Sequence, residues 1–498
     1  VVSRIRHDIR DGFVAPGVAP RQGDAKRLDR AGVDRTVMRL MPRAAEFPSL
    51  RTLLFTFVLA LGFGGCASGP EPVPAAPAPV AAAAPRPAPP LATPTIEAAP
   101  PVMLGIDVLE ADGFAVLKGK RIGLLTHPAG VNRHGVSTID VLRRAPGVNL
   151  VALYAVEHGI RNELRAEVRF GDQVDQRTGL MVHSLYNPPV TKATPEQLKG
   201  IDALVVDMQD IGTRSYTFVS AMKQAMIACF ENDKELIVLD RPNPLGGLKV
   251  SGPPLDANLK SYVGAFRVPY VHGLTIGELA RMARESPEPP GVIAIPENLR
   301  TKGKLTVIPM RGWSRKMRWP ETGLTFIPTS TRIQDFAAVA GYPMTGLGCI
   351  VGGFRHGVGV QYPFRGIAHL SVKIDVVERE LKALNLPGIE FRRVSGPPMK
   401  NGQPGTGLYV IITDYDAWQP CDLSFWLMHL ACKLEPKNPF ANLTPAKRRE
   451  YLVHVGSAAL LNDLATLGAR ADIAGWLRTW REQARIFQEQ SRRFWLYQ

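Results

Sequence analysis

The chain has 498 residues, is 45% hydrophobic, and carries a formal net charge of +15, so it is long enough for two or three domains with sizeable cores. Residues 1–51 hold eleven Lys/Arg against six Asp/Glu and supply +5 of that charge. The other basic residues are dispersed, with no Lys/Arg run interleaved with aromatics. This argues against nucleic acid as a partner and fits an anionic polymer or a membrane surface.

Residues 1–40 precede any export signal and are assigned no function. Arg51 stands before an apolar run at 52–61, followed by GFGGC ending at Cys66. A basic flank, a short apolar core and small residues describe a secretory signal over 41–66. The run is too short to span a bilayer. Cys66 directly after two glycines resembles a bacterial lipobox, with Phe63 where an aliphatic residue is usual. The expectation is an exported, periplasmic lipoprotein anchored to the membrane through Cys66; ordinary signal cleavage nearby is the alternative. Residues 67–101 are Pro/Ala-rich and nearly uncharged, which suits an extended tether and no core.

Folding begins near residue 102. A helical preface at 105–117 leads into an apolar run at 121–125 that ends in Thr126-His127-Pro128. A capped helix is expected at 137–144, with Ser137 as the cap. The run 148–156 then stops at Glu157-His158-Gly159. Run 203–206 stops at Asp207-Met208-Gln209-Asp210, and run 236–239 at Asp240-Arg241-Pro242-Asn243. Each run is too short for a typical helix and reads as a buried strand. Helical spacing at 216–230, a capping box at Thr194/Gln197 and another at Thr275/Glu278 alternate with them. The alternation predicts an α/β fold with a doubly wound parallel sheet over 102–312. If the four runs are parallel neighbours, their polar ends gather along the edge where such sheets bind ligands. Residues 157–186 are long and polar, as a functional loop over that edge would be.

After about residue 313 the composition turns rich in Gly, Pro and Thr. Strands are expected at 305–310, 370–374 and 408–413, and helices at 422–432 and 473–497. Residues 313–498 read as a smaller α+β domain with a partial barrel-like sheet. The four cysteines beyond Cys66 form no CxxC or zinc spacing. A Cys421–Cys432 disulfide and buried free thiols are both compatible with export.

Glycoside hydrolysis usually needs two carboxyl groups flanking the scissile bond. Glu157, Asp207, Asp210 and Asp240 are the strand-end carboxylates, and Glu157, between Val156 and His158, has the semi-apolar setting of a general acid. Asp207 follows an apolar run directly and reads equally as an orienting group. The separations of His127, His158 and His272 match no compact metal motif, and neutral hydrogen-bonding roles are expected of them. Arg161, Arg214 and Arg241 are suited either to an anionic substrate group or to structural ion pairs. GxSxG, GxxxxGK[ST] and a GxGxxG after the first strand are absent, which leaves a nucleotide site unsupported.

LTHPAGVNRHG (125–135), VEHGIR (156–161), DMQDIGTRSYTF (207–218), LDRPNPLGG (239–247) and VPYVHGLTIGELA (268–280), with TGLTFIPTSTRI (322–333) and the RFWLYQ ending, together resemble the DUF1343 family. Its characterised members are NamZ-type exo-β-N-acetylmuramidases. The resemblance covers about residues 102–498. It implies a Rossmann-like domain beside a smaller domain with a barrel-like sheet, and a cleft between them. The implied reaction releases N-acetylmuramic acid from the non-reducing ends of peptidoglycan-derived muropeptides or disaccharides. The residues themselves make no case for a required cofactor or metal. The glutamate of the family's EHG motif falls on Glu157, the implied general acid/base. His158, Gln209, Asp210, Arg214, Tyr216, Asp240, Arg241 and Asn243 fall on further motif positions, which the resemblance places around the sugar as binding or orienting groups. On the residues alone, Asp210 and Asp240 are the candidate further catalytic carboxylates, and His127, Arg161 and His272 join the candidate substrate-binding set. An Arg suits the lactyl carboxylate of muramic acid.

The family's Glu- and Gly-rich segment before an RPF reads LGCIVGGFRHGVGVQYPF here (347–364). Gly348 and Arg355 or His356 stand where acidic residues are usual, and FIPTSTRI (326–333) differs from the family's usual proline- and asparagine-containing version. The departure at 347–364 motivates two alternatives: a wall-sugar-binding lipoprotein without turnover, and a hydrolase acting on another anionic sugar.

Overall fold

A strand covered on both faces must be apolar along its whole length, and such strands build the middle of the central sheet. The computed structural model describes residues 102–161, 168–186, 191–287, 293–397 and 405–498. The 1–40 extension, the 41–66 signal with Cys66 and the 67–101 tether lie outside the described residues. β1 (Arg121–Thr126), β2 (Asn149–Ala155), β3 (Gln173–Val174), β4 (Met181–Ser184), β5 (Ala203–Asp207), β6 (Glu235–Leu239) and, after the β7–β8 pair (Ser251–Pro254 and Pro269–Val271), β9 (Lys304–Ile308) supply it. The order is β3-β4-β2-β1-β5-β6-β9, parallel except for the β3–β4 edge. The four strands with polar ends are consecutive neighbours, as the sequence predicts. Thr126 lies opposite both Ala155 and Asp207, so the ends of β2, β1 and β5 are level.

Alternate residues go to opposite faces. Leu204 and Val206 of β5 pack with the helices Phe218–Glu231 and Ile276–Glu285, while Ala203 and Val205 pack with Gly105–Ala111 and Thr138–Arg144. The helices start where the sequence puts caps. Ser137 Oγ accepts from the Ile139 N–H at 3.2 Å. Thr194 with Gln197, and Thr275 with Glu278, exchange backbone and side-chain bonds as reciprocal capping boxes.

The later part of the chain holds a four-stranded antiparallel sheet, β10 (Phe354–Arg355), β11 (Gly366–His369), β13 (Gly405–Ile412) and β12 (Ile389–Gly396), with helices that include Asp422–Leu434 and Ile473–Ser491. The strand expected at 370–374 does not form. His369 Nδ1 accepts from the N–H groups of Ser371 and Val372 and turns the chain, Leu370 is 68% exposed, and Ile374 opens a helix. All four cysteines beyond Cys66 are free thiols, so a Cys421–Cys432 disulfide does not form. Among the described residues no helix is long and apolar enough to cross a membrane.

The C-terminal segment returns to the large sheet. Tyr497 Oη donates to Asp240 Oδ2 at 2.5 Å and accepts from the Met310 N–H at 2.9 Å. The Leu496 N–H donates to Glu278 Oε1, and the Arg315 N–H to the Gln498 carbonyl. Arg315 also lies 3.7 Å from the Trp495 ring centroid.

Candidate active site

The Glu157 site is made by the way β2 ends. Val156 is still buried, and its carbonyl accepts from the Gly159 N–H at 3.0 Å. That tight turn needs left-handed backbone at two successive residues, with φ of 77° at His158 and 77° at Gly159. Glycine adopts this freely; for histidine it costs about 1–2 kcal/mol. The turn leaves Glu157 half-buried, and its Oε2 accepts from Thr217 Oγ1 at 3.3 Å. Thr217 is the N-cap residue of Phe218–Glu231 and makes no side-chain bond to its own helix.

Glu157 lines a cavity of about 800 Å3. The wall is largely aromatic, with Tyr186, Tyr216, Phe218, Tyr262, Tyr342 and Phe364, and carries Ser215, Lys260, Ser330 and Arg332 among its polar groups. Tyr216 Oη donates to Thr329 Oγ1 at 2.7 Å, and its ring meets Phe218 edge-on at 4.8 Å. Burial pushes the Tyr216, Tyr262 and Tyr342 phenols above their ordinary range, so each remains a neutral hydroxyl. Flat apolar faces beside hydroxyls match a pyranose, which has C–H faces and an equatorial rim of hydroxyls.

Of the residues expected from sequence, Glu157, His158 and Tyr216 line this cavity. Arg161, exposed, pairs with Asp175 at 2.7 Å. The other eight form a buried layer in which none is more than 6% exposed. His127 Nε2 accepts from the Gln209 N–H at 2.8 Å; burial and then the Arg241 charge hold its pKa well below the usual range, which puts the single proton on Nδ1. Gln209 Nε2 donates to the Asp210 and Pro242 carbonyls. Asp210 Oδ2 accepts from the Gly212 N–H at 2.7 Å and lies 3.6 Å from His272 Nε2. His272 Nδ1 accepts from the Leu274 N–H, and Asn243 bridges Leu245 and Leu274.

Like Arg161, the other two expected anion-binding arginines are bonded to the protein itself. Arg241 grips Asp207 bidentately, Nε to Oδ1 at 2.5 Å and Nη2 to Oδ2 at 2.8 Å, and Asp207 also accepts from Thr138 Oγ1. Arg214 donates to the carbonyls of Pro253, Val268, His454 and Val455. Asp240 takes four donors: the N–H groups of Arg241 and Gly277, Thr275 Oγ1 and Tyr497 Oη. Burial, with Glu278 adding to it, pushes the Asp240 carboxyl up to about 7 against those donors. Gln209 and Arg241 also border a second cavity of about 20 Å3, room for a single water and not for a sugar.

The 347–364 segment reaches the site through Phe364, whose ring stacks on His356 at 4.2 Å. Gly348 packs so closely on the helix Asp422–Leu434 that a Cβ would come within 2.6 Å of the Ser424 carbonyl oxygen. No glutamate fits there. Arg355 turns back on the Gly352 and Phe354 carbonyls. Among the described residues no cluster of three His, Cys, Asp or Glu side chains is placed to hold a metal. Sequence reasoning missed Tyr262, Tyr342, Lys260 and Arg332; of these only Arg332 lies in a quoted motif, TGLTFIPTSTRI.

Comparison with known proteins agrees with this geometry. Residues 122–337 match the family model described as exo-β-N-acetylmuramidase NamZ, N-terminal, and residues 340–497 match its C-terminal counterpart. The peptidoglycan β-N-acetylmuramidase NamZ of Bacillus subtilis is 40% identical over 324 residues, 64% of this chain and 75% of that protein. A DUF1343 family protein of Bacteroides fragilis, known from its crystal structure, superposes with a TM-score of 0.69 at 37% identity, covering 80% of this chain and 99% of its own. A second from the same organism gives 0.57 at 26% identity with the same coverage. The chain therefore belongs to the NamZ exo-β-N-acetylmuramidase family.

Proposed function

We propose that the protein is an exo-acting glycosidase that releases N-acetylmuramic acid from the non-reducing ends of peptidoglycan fragments, with Glu157 as the general acid/base. The observation that carries this is a motif carboxylate held at the end of β2, half-buried, beside a hydroxyl, in an aromatic cavity of about 800 Å3. A protonated Glu157 would give its proton to the glycosidic oxygen as the bond from that oxygen to the anomeric carbon breaks, and its carboxylate would then take a proton from the water whose oxygen bonds to the same carbon. The buried layer of His127, Gln209, Asp210, Asp240 and Arg241 would hold the strand ends rigid beneath the sugar.

The test is release of free N-acetylmuramic acid from a MurNAc–GlcNAc disaccharide, followed by mass spectrometry, with Glu157→Gln alongside. Release by the parent and not by the variant is expected. Equal release by both would remove Glu157 from the acid/base role. A second reading, binding of wall sugars without turnover, is supported by Glu157 being the one carboxylate among the described lining residues of the cavity. Binding of the disaccharide with no release by the parent would establish it. We also propose export and lipid anchoring at Cys66, which labelling with radioactive palmitate would show for the full chain and not for Cys66→Ser.

A further inference from the structure

The arginines near the strand ends are engaged by the protein: Arg241 with Asp207, Arg214 with four carbonyls, Arg161 with Asp175. Arg332 differs from all three. It lines the same cavity as Glu157, it is exposed, and its guanidinium has no hydrogen-bond or ion-pair partner among the described residues. Lys260 Nζ, a second cation on the wall, has none either. Glu157 is the one carboxylate among the described lining residues, so the wall offers more positive than negative charge.

The backbone that carries Arg332 is fixed. Ser330 is buried, and its Oγ accepts from the N–H groups of Arg332 at 3.4 Å and Ile333 at 3.2 Å. One residue earlier, Thr329 accepts from Tyr216 of the cavity wall. The guanidinium therefore hangs from a rigid turn beside the sugar-facing aromatics. Its positive charge also reaches His356, the ring stacked behind Phe364; burial first, and then Arg332 and Arg355, lower the pKa of that imidazole and keep it neutral.

We propose that Arg332 seats the carboxylate of an acidic sugar in this cavity, with Lys260 as a second cation, and so sets a preference for muramyl over glucosaminyl residues. The proposal rests on the glycosidase reading above. The two sugars share a ring and an acetamido group and differ by the lactyl ether on O3. Only a group that recognises the lactyl carboxylate separates them, and a planar guanidinium does so bidentately. A site built around such a bond discriminates far more strongly than an apolar pocket does.

The experiment compares the parent with Arg332→Gln and Arg332→Lys on para-nitrophenyl β-glycosides of MurNAc and of GlcNAc. Arg332→Gln is expected to lower kcat/KM on the muramyl substrate by about 100-fold, with the glucosaminyl rate and the Tm unchanged, and Arg332→Lys to recover part of the loss. An unchanged ratio between the two substrates in Arg332→Gln would overturn the proposal. If the parent cleaves neither glycoside, the glycosidase reading fails, and calorimetric titration with free MurNAc and free GlcNAc reads the seat separately. MurNAc binding lost in Arg332→Gln would then sustain it; equal binding by parent and variant would overturn it.

Discussion

At the end of β2, Glu157 is half-buried and faces a cavity of about 800 Å3; three strands along the same edge, at the end of β6, Asp240 is fully buried beneath four donors. Both carboxylates follow an apolar strand, and both stand beside a basic residue in the sequence. The difference lies in what covers them. β2 runs into a turn with two left-handed residues that opens outward, whereas β6 is roofed by the start of Ile276–Glu285 and by Tyr497. A charged residue at the favoured edge of a parallel sheet is thus a place where a site is possible. The next layer of chain decides whether it meets substrate or scaffold.

The largest effect on turnover is expected at Glu157. Glu157→Gln should lower turnover of the disaccharide by roughly 100- to 10,000-fold while the Tm stays within a degree or two of the parent. Arg241→Gln should do the reverse in kind. It leaves Asp207 buried without its cation, which costs about 3–5 kcal/mol in chemical denaturation, and activity per folded molecule should fall far less than in Glu157→Gln.

Asp240 makes the stability of the fold depend on pH. Its folded value of about 7 lies above the ordinary 3.8, so the folded state holds the proton more tightly than the unfolded chain. The stability this contributes is complete below pH 4 and is lost as pH rises through 7. Asp240→Asn should flatten the fall in stability between pH 4 and pH 8, a difference on the order of 4 kcal/mol, read from denaturation midpoints across that range. A variant whose midpoints track the parent at every pH would refute the assignment. The smallest effect is expected at His158: replacing it by Gly relieves the left-handed strain and should raise stability by up to about 1 kcal/mol, while turnover falls because Glu157 is held less rigidly.

The parallel sheet was legible because strands covered on both faces leave continuous apolar runs, and 121–125, 148–156, 203–206 and 236–239 are such runs. The run at 370–374 was not, since five residues with one exposed leucine carry no reliable period, and a histidine side chain decides the turn. Motif matching gathered the strand-end residues but did not divide them. Sequence adjacency cannot show that Arg241 turns onto Asp207, thirty-four positions earlier, while Glu157 turns outward. Much of the cavity wall comes from Lys260, Tyr262, Tyr342, Phe364 and His454. These residues are far apart in the chain and ordinary in type, and only the fold gives them a common purpose.

The C-terminal segment that bonds Asp240 and Glu278 reaches them only late in synthesis. Contacts such as Tyr497–Asp240, 257 positions apart, cannot form until residues 495–498 have been synthesised. During translation the large sheet therefore waits with Asp240 short of one of its four donors, and the ends of β6 and β9 are last to be locked. Closing such distant contacts is slow and leaves a partly packed chain exposed in the meantime. Synthesis halted after residue 494 should yield a protein that holds its strands, yet is cut by protease around β6 and β9 until a peptide carrying residues 495–498 is supplied.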